Sequence, residues 1–445
     1  MAAISPARAV ALDILRDIDE RGAYANLVLS RLPETLEARN RALATELVAG
    51  TTRMRRLLDY VLDRFASRPV ADLKPAIRNI LRLGAYQLLF LTRIPARAAL
   101  HESVELARKH GHEGVARLTN AVLRKVSAAD LEALAWPEDP AERIAVRHSY
   151  PDWLIAAWAA EYGLAEAEQL AERQNQPLPL ALRVNATKMQ RDDLLRRLED
   201  AGIRAEPSPV AAEGVRVYDA PPIARLPGYM EGWWYVQGEA AMLAAIALDP
   251  RPGETIADIG AAPGGKTTHL AERMANRGTV LAVEPHAGRL KLVEDNARRL
   301  GLTCIRTLQR SGEEPIELAA DRALVDAPCS GLGTLYRKAD LRWRMTAAEQ
   351  AGLPALQARL LAAAASAVKP GGALLYATCT TLPSENRDVA TAFLAQHPDF
   401  GFGVLRDALP EQWRAESAGG MMQLLPHRHG TEGFFLARFE RRESG

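Results

Sequence analysis

Apolar residues recur at helical spacing from Ala7 to Val126. Val10, Ile14, Leu15 and Ile18 mark one stripe, Leu57, Leu58, Val61, Leu62 and Phe65 a second, and Ile77, Ile80, Leu81 and Leu88 a third. A period near 3.6 predicts helices that each bury one face, and Pro33, Pro69, Pro75 and Pro95 punctuate them. The pattern predicts an all-α domain over residues 1–130 with its own core. A Pro/Ala/Trp-rich stretch, Ala135 to Tyr150, precedes a further helical region to about Gln174. Ala181–Asn185 and Gly214–Tyr218 then read as strands flanking a helix over Arg191–Ala201, a small α+β region over 140–230. The Pro-rich segment Pro207 to Pro227 reads as a loop or linker by composition.

From about Gly232 the pattern changes to short apolar strands alternating with helices, defining a third region over 231–445. Thr255–Asp258, Val280–Glu284, Ala323–Asp326 and Ala373–Ala377 read as strands, with helices over Arg289–Leu300 and Leu356–Val368. Such alternation predicts a parallel, doubly wound α/β sheet, whose ligands bind outside the carboxyl ends of the strands.

Composition narrows the function classes. At 48% hydrophobic and 25% charged residues the chain has the balance of a folded globular protein. No apolar run is long enough to span a membrane, and Met1 to Leu12 lacks the layout of a secretory signal, so a cytoplasmic protein without membrane partners is expected. Three cysteines, Cys304, Cys329 and Cys379, are too few for a disulfide framework and form no metal-binding cluster; no metal is expected. Net charge is +1, yet basic residues outnumber acidic ones up to about Lys125, with a cluster at Arg53, Arg55 and Arg56. Such a surface can neutralise phosphates, although a solvated helix face explains charge alone equally well.

The chemistry gathers at strand ends. Asp258-Ile-Gly260-Ala261-Ala262-Pro263-Gly264-Gly265-Lys266-Thr267 is a Gly-rich turn between a strand and a helix, and Glu284 closes the next strand. Glycines there let a ligand approach the backbone, and the acid can bond a ribose diol. The same stretch also satisfies P-loop spacing, with Asp326 as a metal-binding acid, and a dinucleotide-dependent hydride enzyme is a third reading. Glu284 favours an adenosine-bearing cofactor. Asp326-Ala-Pro-Cys329-Ser-Gly331 and Thr378-Cys379-Thr380, the latter followed by Ser384-Glu385-Asn386, end the next two strands. Two cysteines and an acid therefore converge near the turn, whereas Cys304 reads as a small core residue.

Two resemblances give these residues names. Arg41–Gly50, Leu58-Asp59, Ile80–Gly84 with Tyr86, His101-Glu102 with Glu105, and Thr119-Asn120 with Arg124 resemble the NusB family of helical RNA-binding domains. Gly84, Glu105 and Asn120 also suit packing or capping. The cysteine motifs, with Gln237–Glu239, Leu425-Pro426 and Gly430–Phe435, resemble the RNA cytosine-C5 methyltransferase superfamily, and the whole chain resembles its bacterial RsmB (Sun or Fmu) type, which acts on 16S ribosomal RNA. The resemblance implies a class I Rossmann-like methyltransferase domain using S-adenosylmethionine. It implies Cys379 as nucleophile toward C6, Asp326 at N3, Cys329 in product release and Lys266 as an active-site lysine. Gly260, Ala261, Ala262, Pro263, Gly264, Gly265, Lys266, Glu284 and Asp326 are the implied cofactor-binding residues. Ribosomal RNA, free or in early assembly, is the implied partner of a monomer. The family's third-strand acid toward the adenine has no clear counterpart among Gln309, Arg310, Ser311 and Glu313. A P-loop NTPase with an RNA-binding front end, and a non-catalytic RNA-binding assembly factor, are the competing readings.

Overall fold

The computed structural model describes residues 4–29, 32, 35–417 and 419–443; Pro33 lies outside the described residues. Ten helices come first: α1 (Pro6–Arg21), α2 (Ala25–Leu29), α3 (Ala38–Arg53), α4 (Arg55–Asp63), α5 (Pro75–Phe90), α6 (Ala96–His110), α7 (Glu113–Ser127), α8 (Pro140–Arg147), α9 (Asp152–Tyr162) and α10 (Leu164–Arg173). Then follow β1 (Leu180–Val184), α11 (Arg191–Asp200), β2 (Ala205–Pro207), β3 (Gly214–Val217), β4 (Trp234–Val236) and α12 (Glu239–Leu248). The alternating part holds β5 (Thr255–Ile259), α13 (Gly265–Arg273), β6 (Thr279–Val283), α14 (Ala287–Leu300), β7 (Ile305–Leu308) and β8 (Ala320–Asp326). It continues through α15 (Leu341–Arg344), α16 (Ala347–Ala351), α17 (Leu353–Ala367), β9 (Val368–Thr378) and α18 (Arg387–Gln396). The chain closes with β10 (Phe400–Phe402), β11 (Met421–Leu424), α19 (Pro426–His429) and β12 (Phe434–Arg441). Among the described residues no helix is long and apolar enough to cross a membrane.

Two compact units result. One comprises Met1–Asn175 with Leu335–Arg344; the other comprises Gln176–Thr334 with Met345–Gly445. In the first, local chemistry sets the helix ends. Ser5 caps α1, Pro6 opens it, and Gly22 closes it in the left-handed region at φ 63°. Pro75 opens α5, and Asp139 with Pro140 starts α8 inside the stretch that composition left without an element. The predicted stripes supply the core: Ile14, Leu15, Leu57, Leu58, Val61, Leu62, Ile77, Ile80 and Leu81 are buried, and Val10, Ile18, Phe65 and Leu88 pack at its margin.

The NusB-like residues are mostly packing and bracing residues. Glu102 accepts from the Ser5 amide (2.9 Å) and pairs with the buried Arg8 guanidinium (2.8 Å), tying α6 to the start of α1. Gly84 faces α7, where an added Cβ would lie 2.5 Å from Leu123. Gly50 lies under the Tyr86 ring, whose hydroxyl donates to Glu46 at 2.5 Å.

The second unit holds two sheets. The smaller is antiparallel in the order β2-β3-β1-β4, with Leu182, Val184, Val215, Val217 and Trp234 packed against Leu194 and Leu198 of α11. Pro207 to Pro227 is therefore no linker: it contains the end of β2, all of β3 and a 3-10 turn at Ile223–Arg225. The larger sheet runs β10-β12-β9-β8-β5-β6-β7, with β11 also paired to β12. Neighbours from β9 to β7 are parallel, as the alternation predicts, whereas β12 runs antiparallel to β9, and β10 and β11 antiparallel to β12. Successive residues point to opposite faces: Ile256, Leu324 and Leu375 pack with α12 and α13, while Ala257, Val325 and Tyr376 pack with α17 and α18.

Gly50→Ala tests the first unit's packing. Alanine favours a helix over glycine by roughly 1 kcal/mol, but the new methyl must displace the Tyr86 ring, and such overpacking costs about 1–3 kcal/mol. Thermal unfolding of the full chain should show this variant melting several degrees below the parent.

Candidate functional site

The predicted site residues lie at the carboxyl ends of β5, β6, β8 and β9. The turn after β5 is held to its neighbours by backbone. The Gly260 and Ala261 amides donate to the Val283 carbonyl (3.0 and 3.2 Å), and Gly264 donates to Ala261 (2.8 Å). Gly260 has φ 77°, and a Cβ there would collide with the Asp326 carbonyl, so the turn lies flat on the end of β8 only because the residue is glycine. Gly264, at φ 102°, starts α13 against Val293.

That geometry places Lys266, at the first turn of α13, against Asp326. Lys266 Nζ lies 2.7 Å from Asp326 Oδ2 and 5.3 Å from the centre of the Phe434 ring. Burial disfavours the ammonium, but the Asp326 carboxylate, with Cys379 and Asp258 nearby, outweighs it and holds the Lys266 pKa above its ordinary value. Lys266 is thus a fixed cation beside the cysteines.

Glu284, immediately after β6, is 1% exposed. Its carboxylate accepts from the His286 amide (3.2 Å), meets His286 Nδ1 (2.9 Å) and pairs with Arg289 (3.1 Å). Arg289 also donates to the Ala262 carbonyl (2.9 Å), so the acid and the Gly-rich turn share one brace.

The two cysteines meet. Cys329 Sγ and Cys379 Sγ are 3.4 Å apart, and the Cys379 amide donates to Cys329 Sγ at 3.4 Å. The contact with Cys379, and then burial, push the Cys329 thiol well above its ordinary range. Both residues are partly exposed. Cys304 is instead a buried residue of the core beneath the sheet, the role its sequence context suggested.

Several residues act in the site through contacts that the sequence did not show. Asp258, at the foot of the turn, is fully buried; Thr267 donates to its Oδ2 at 2.5 Å, and its Oδ1 has no partner among the described residues. Burial raises its pKa to about 7. Arg183 of β1 is fully buried and spans to α13: it pairs with Glu272 (2.7 and 2.9 Å) and donates to the Gly265 carbonyl (2.5 Å) and Thr268 (2.9 Å). It clamps the helix that carries Lys266. Glu385 and Asn386 lock the cysteine loops. Glu385 accepts from the Ser330 amide (2.8 Å) and Gln357 (3.0 Å), and Asn386 accepts from Thr378 (2.5 Å) while donating to the Thr380 carbonyl (3.1 Å). The closing motif acts likewise. Glu432 accepts from the Ala241 amide at the start of α12, and Gly433 donates to Gly333, whose own amide donates to the Cys379 carbonyl (2.9 Å).

The third strand supplies no free acid. Glu313 pairs with Arg359 (2.7 Å), Gln309 donates to the Pro285 carbonyl (3.3 Å), and Arg310 pairs with Glu314 (2.8 Å). Among the described residues no group of three His, Cys, Asp or Glu side chains could hold a metal.

Comparison with known proteins accounts for the whole chain. A family model described as 16S rRNA methyltransferase RsmB/F matches residues 245–440, the NusB family matches 5–128, and a ferredoxin-like domain of RsmF/B-like methyltransferases matches 150–224. A probable ribosomal RNA small subunit methyltransferase B of Bacillus subtilis is 39% identical over 98% of both chains. The ribosomal RNA small subunit methyltransferase B of Serratia proteamaculans is 36% identical over 97% of both. Among solved structures, PH0851 aligns over 98% of this chain and 99% of its own, at TM-score 0.79 and 28% identity. A methyltransferase homologue from Pyrococcus horikoshii aligns over 68% of this chain and all of its own, at TM-score 0.58 and 31% identity. These likenesses favour neither the NTPase nor the non-catalytic reading. With a NusB-family helical front and an RsmB/F catalytic sheet in one chain, this protein belongs to the RsmB/F family of 16S rRNA methyltransferases.

Proposed function

We propose that the protein methylates C5 of one cytosine in 16S ribosomal RNA, using S-adenosylmethionine and a covalent link from Cys379 to C6. The observation that carries this reading is the 3.4 Å approach of the two sulfurs beside the Lys266–Asp326 pair. In this reading residues 1–130 bind RNA, 140–230 add a further RNA-facing wall, and 231–445 form the catalytic domain, working in the cytoplasm as a monomer.

The turn suits a nucleoside-bearing group. Gly260 and Gly264 leave the backbone bare, and Glu284 stands at the next strand end with lone pairs beyond those that His286 and Arg289 occupy. Bound there, S-adenosylmethionine supplies an electrophilic methyl. Gly260, Ala261, Ala262, Pro263, Gly264, Gly265, Lys266, Glu284 and Asp326 are the residues assigned to hold it.

C5 of cytosine is a weak nucleophile, and the protein's task is to enrich it. The Cys379 thiolate adds to C6, forming an S–C bond and moving the C5–C6 electron pair onto C5. Lys266 lowers the cost of that thiolate, and the Cys329 sulfur lies 3.4 Å from it. Asp326 is assigned to N3, where basicity rises as the ring accepts electrons; the carboxylate paired to Lys266 has no proton of its own, so the proton it relays to N3 comes from the Lys266 ammonium. C5 then takes the methyl, which leaves the cofactor as a neutral thioether. Cys379 is by now a neutral thioether as well. Cys329 serves the final step, in which a base, the Cys329 thiolate or a water it positions, takes the C5 proton, the C5–C6 double bond re-forms and the Cys379 thiolate departs. The target base must first leave any stack, which favours an unpaired cytosine.

Bisulfite mapping of 16S rRNA from cells with and without the gene should show one 5-methylcytosine lost; an unchanged map would end this assignment. Cys379→Ala should reduce methyl transfer from labelled S-adenosylmethionine to background. Cys329→Ala should accumulate protein–RNA adducts that survive denaturing gels, since bond formation is intact and release is not.

Asp258 gives a pH prediction. Its carboxyl titrates at about 7 when folded, against 3.8 ordinarily, so the folded chain binds the extra proton. The stabilisation is full below about pH 4 and disappears as pH rises through 7. Asp258→Asn should flatten denaturant stability across that window, by an amount up to about 4 kcal/mol.

A further inference from the structure

We propose that the first unit carries its own phosphate-binding pocket, built by α1, the α3–α4 corner, α5 and the segment 340–344. A cavity of about 200 Å³ lies there, lined by Asp19, Thr51, Thr52, Arg55, Arg82 and Trp343 among others. Four guanidiniums surround it, those of Arg55, Arg78, Arg82 and Arg344, and three carboxylates answer them. Arg82 grips Asp59 through two bonds of 2.7 Å and reaches Asp19 at 3.1 Å; Arg78 reaches Asp19 at 3.1 Å; Arg344 holds Asp340 at 3.0 Å. Arg55 is left over. Among the described residues it makes no ion pair or hydrogen bond, and it stands 5.6 Å from the centre of the Trp343 ring.

The hydroxyls give the second observation. Thr51 and Thr52 are 2% and 6% exposed, line the cavity, and have Oγ1 atoms without a partner among the described residues. A buried hydroxyl left unpaired costs about 1–3 kcal/mol, which a bound oxyanion removes. Burial, and then repulsion from Arg82, also lower the Arg55 pKa, as expected where positive charge is in excess. One free guanidinium and two hydroxyl donors around a small space match a tetrahedral oxyanion. The space is below the roughly 300–1,000 Å³ of nucleotide-sized sites, so it takes a single phosphate group.

That group is either a backbone phosphate of RNA or a free phosphate. The first source rests on the ribosomal-RNA reading above; the pocket itself does not. Trp343 closes one wall, its indole donating to the Thr52 carbonyl at 2.7 Å, and Arg344 fixes the same segment to the Gly22 carbonyl at 2.8 Å.

The test compares the full chain with Arg55→Gln and Thr51→Val. Inorganic phosphate, against chloride at equal ionic strength, should raise the melting temperature of the parent. Arg55→Gln should abolish the shift, and Thr51→Val should weaken apparent phosphate affinity several-fold while melting like the parent in chloride. If Arg55→Gln does not fold, Thr51→Val carries the test, because that hydroxyl has no hydrogen-bond partner among the described residues. Filter binding of 16S rRNA over a salt series distinguishes the sources without any methyl transfer. A salt slope less steep by about 0.7–0.9 in Arg55→Gln assigns the pocket to an RNA phosphate; an unchanged slope with phosphate binding lost assigns it to a free phosphate. Parent-like phosphate responses in every variant that folds, or no response in the parent, overturn the pocket and leave the methylation reading untouched.

Discussion

The catalytic end of the sheet depends on Glu385, a buried carboxylate whose oxygens accept from the Ser330 amide and from the side chains of Gln357 and Gln350. The chain before Ser330 carries Cys329, and the strand end before Glu385 carries Cys379. The two loops come from neighbouring strands, and nothing in the strand ladder extends to their tips. Glu385 supplies that link, helped by the Ser330–Thr380 hydroxyl contact at 2.7 Å and by the Tyr376 hydroxyl on the Glu385 carbonyl at 2.6 Å. A buried carboxylate deprived of its donors costs several kcal/mol, so the bonds form together or not at all. The sulfur separation follows from that constraint.

Much of this was legible in the sequence because the information was local. β5, β6, β8 and β9 are buried on both faces and read as apolar runs, and the helices of the first unit read as stripes. The Gly-rich turn was legible because positive φ at residue 260 admits little but glycine. Strands of three residues, β2, β4 and β10, are too short to show alternation and were missed. The antiparallel edge was also missed, because strand direction at the β9–β12 boundary is set by the path of the chain after α18, not by any residue of the strands. Arg183 and Glu272 lie 89 positions apart, and no periodicity joins them. Asn386 and Glu385 were readable as the start of a helix and as part of the second cysteine motif, but not as a brace. Their reach across to Thr378, Thr380 and Ser330 is a tertiary fact.

The same distinction explains the charge. Lys and Arg number 56 and Asp and Glu 55, a balance that conceals where cations are left unanswered. Around α1 and α5 the ledger is local: Asp19 Oδ2 alone receives Arg78, Asn79 and Arg82 at 3.1 Å each. Residues 340–344 complete that cluster although their sequence lies between β8 and α17. Only the folded chain could reveal it.

Four carboxylates crowd the strand ends of the second unit, each with different partners. Lys266 faces Asp326, Arg289 faces Glu284, and neutral amides surround Glu385. Asp258 has only the Thr267 hydroxyl, and Asp326 nearby adds repulsion to burial. It is consequently the acid driven toward neutrality near pH 7. The arrangement places one carboxylate opposite Lys266 and another beside the Gly-rich turn, with Asp258 buried beneath them. A cation brought to the turn would lower the Asp258 pKa, adding to the pull that Lys266 already exerts. Ionising Asp258 therefore takes either a rise of pH through about 7 or an added positive charge at the turn.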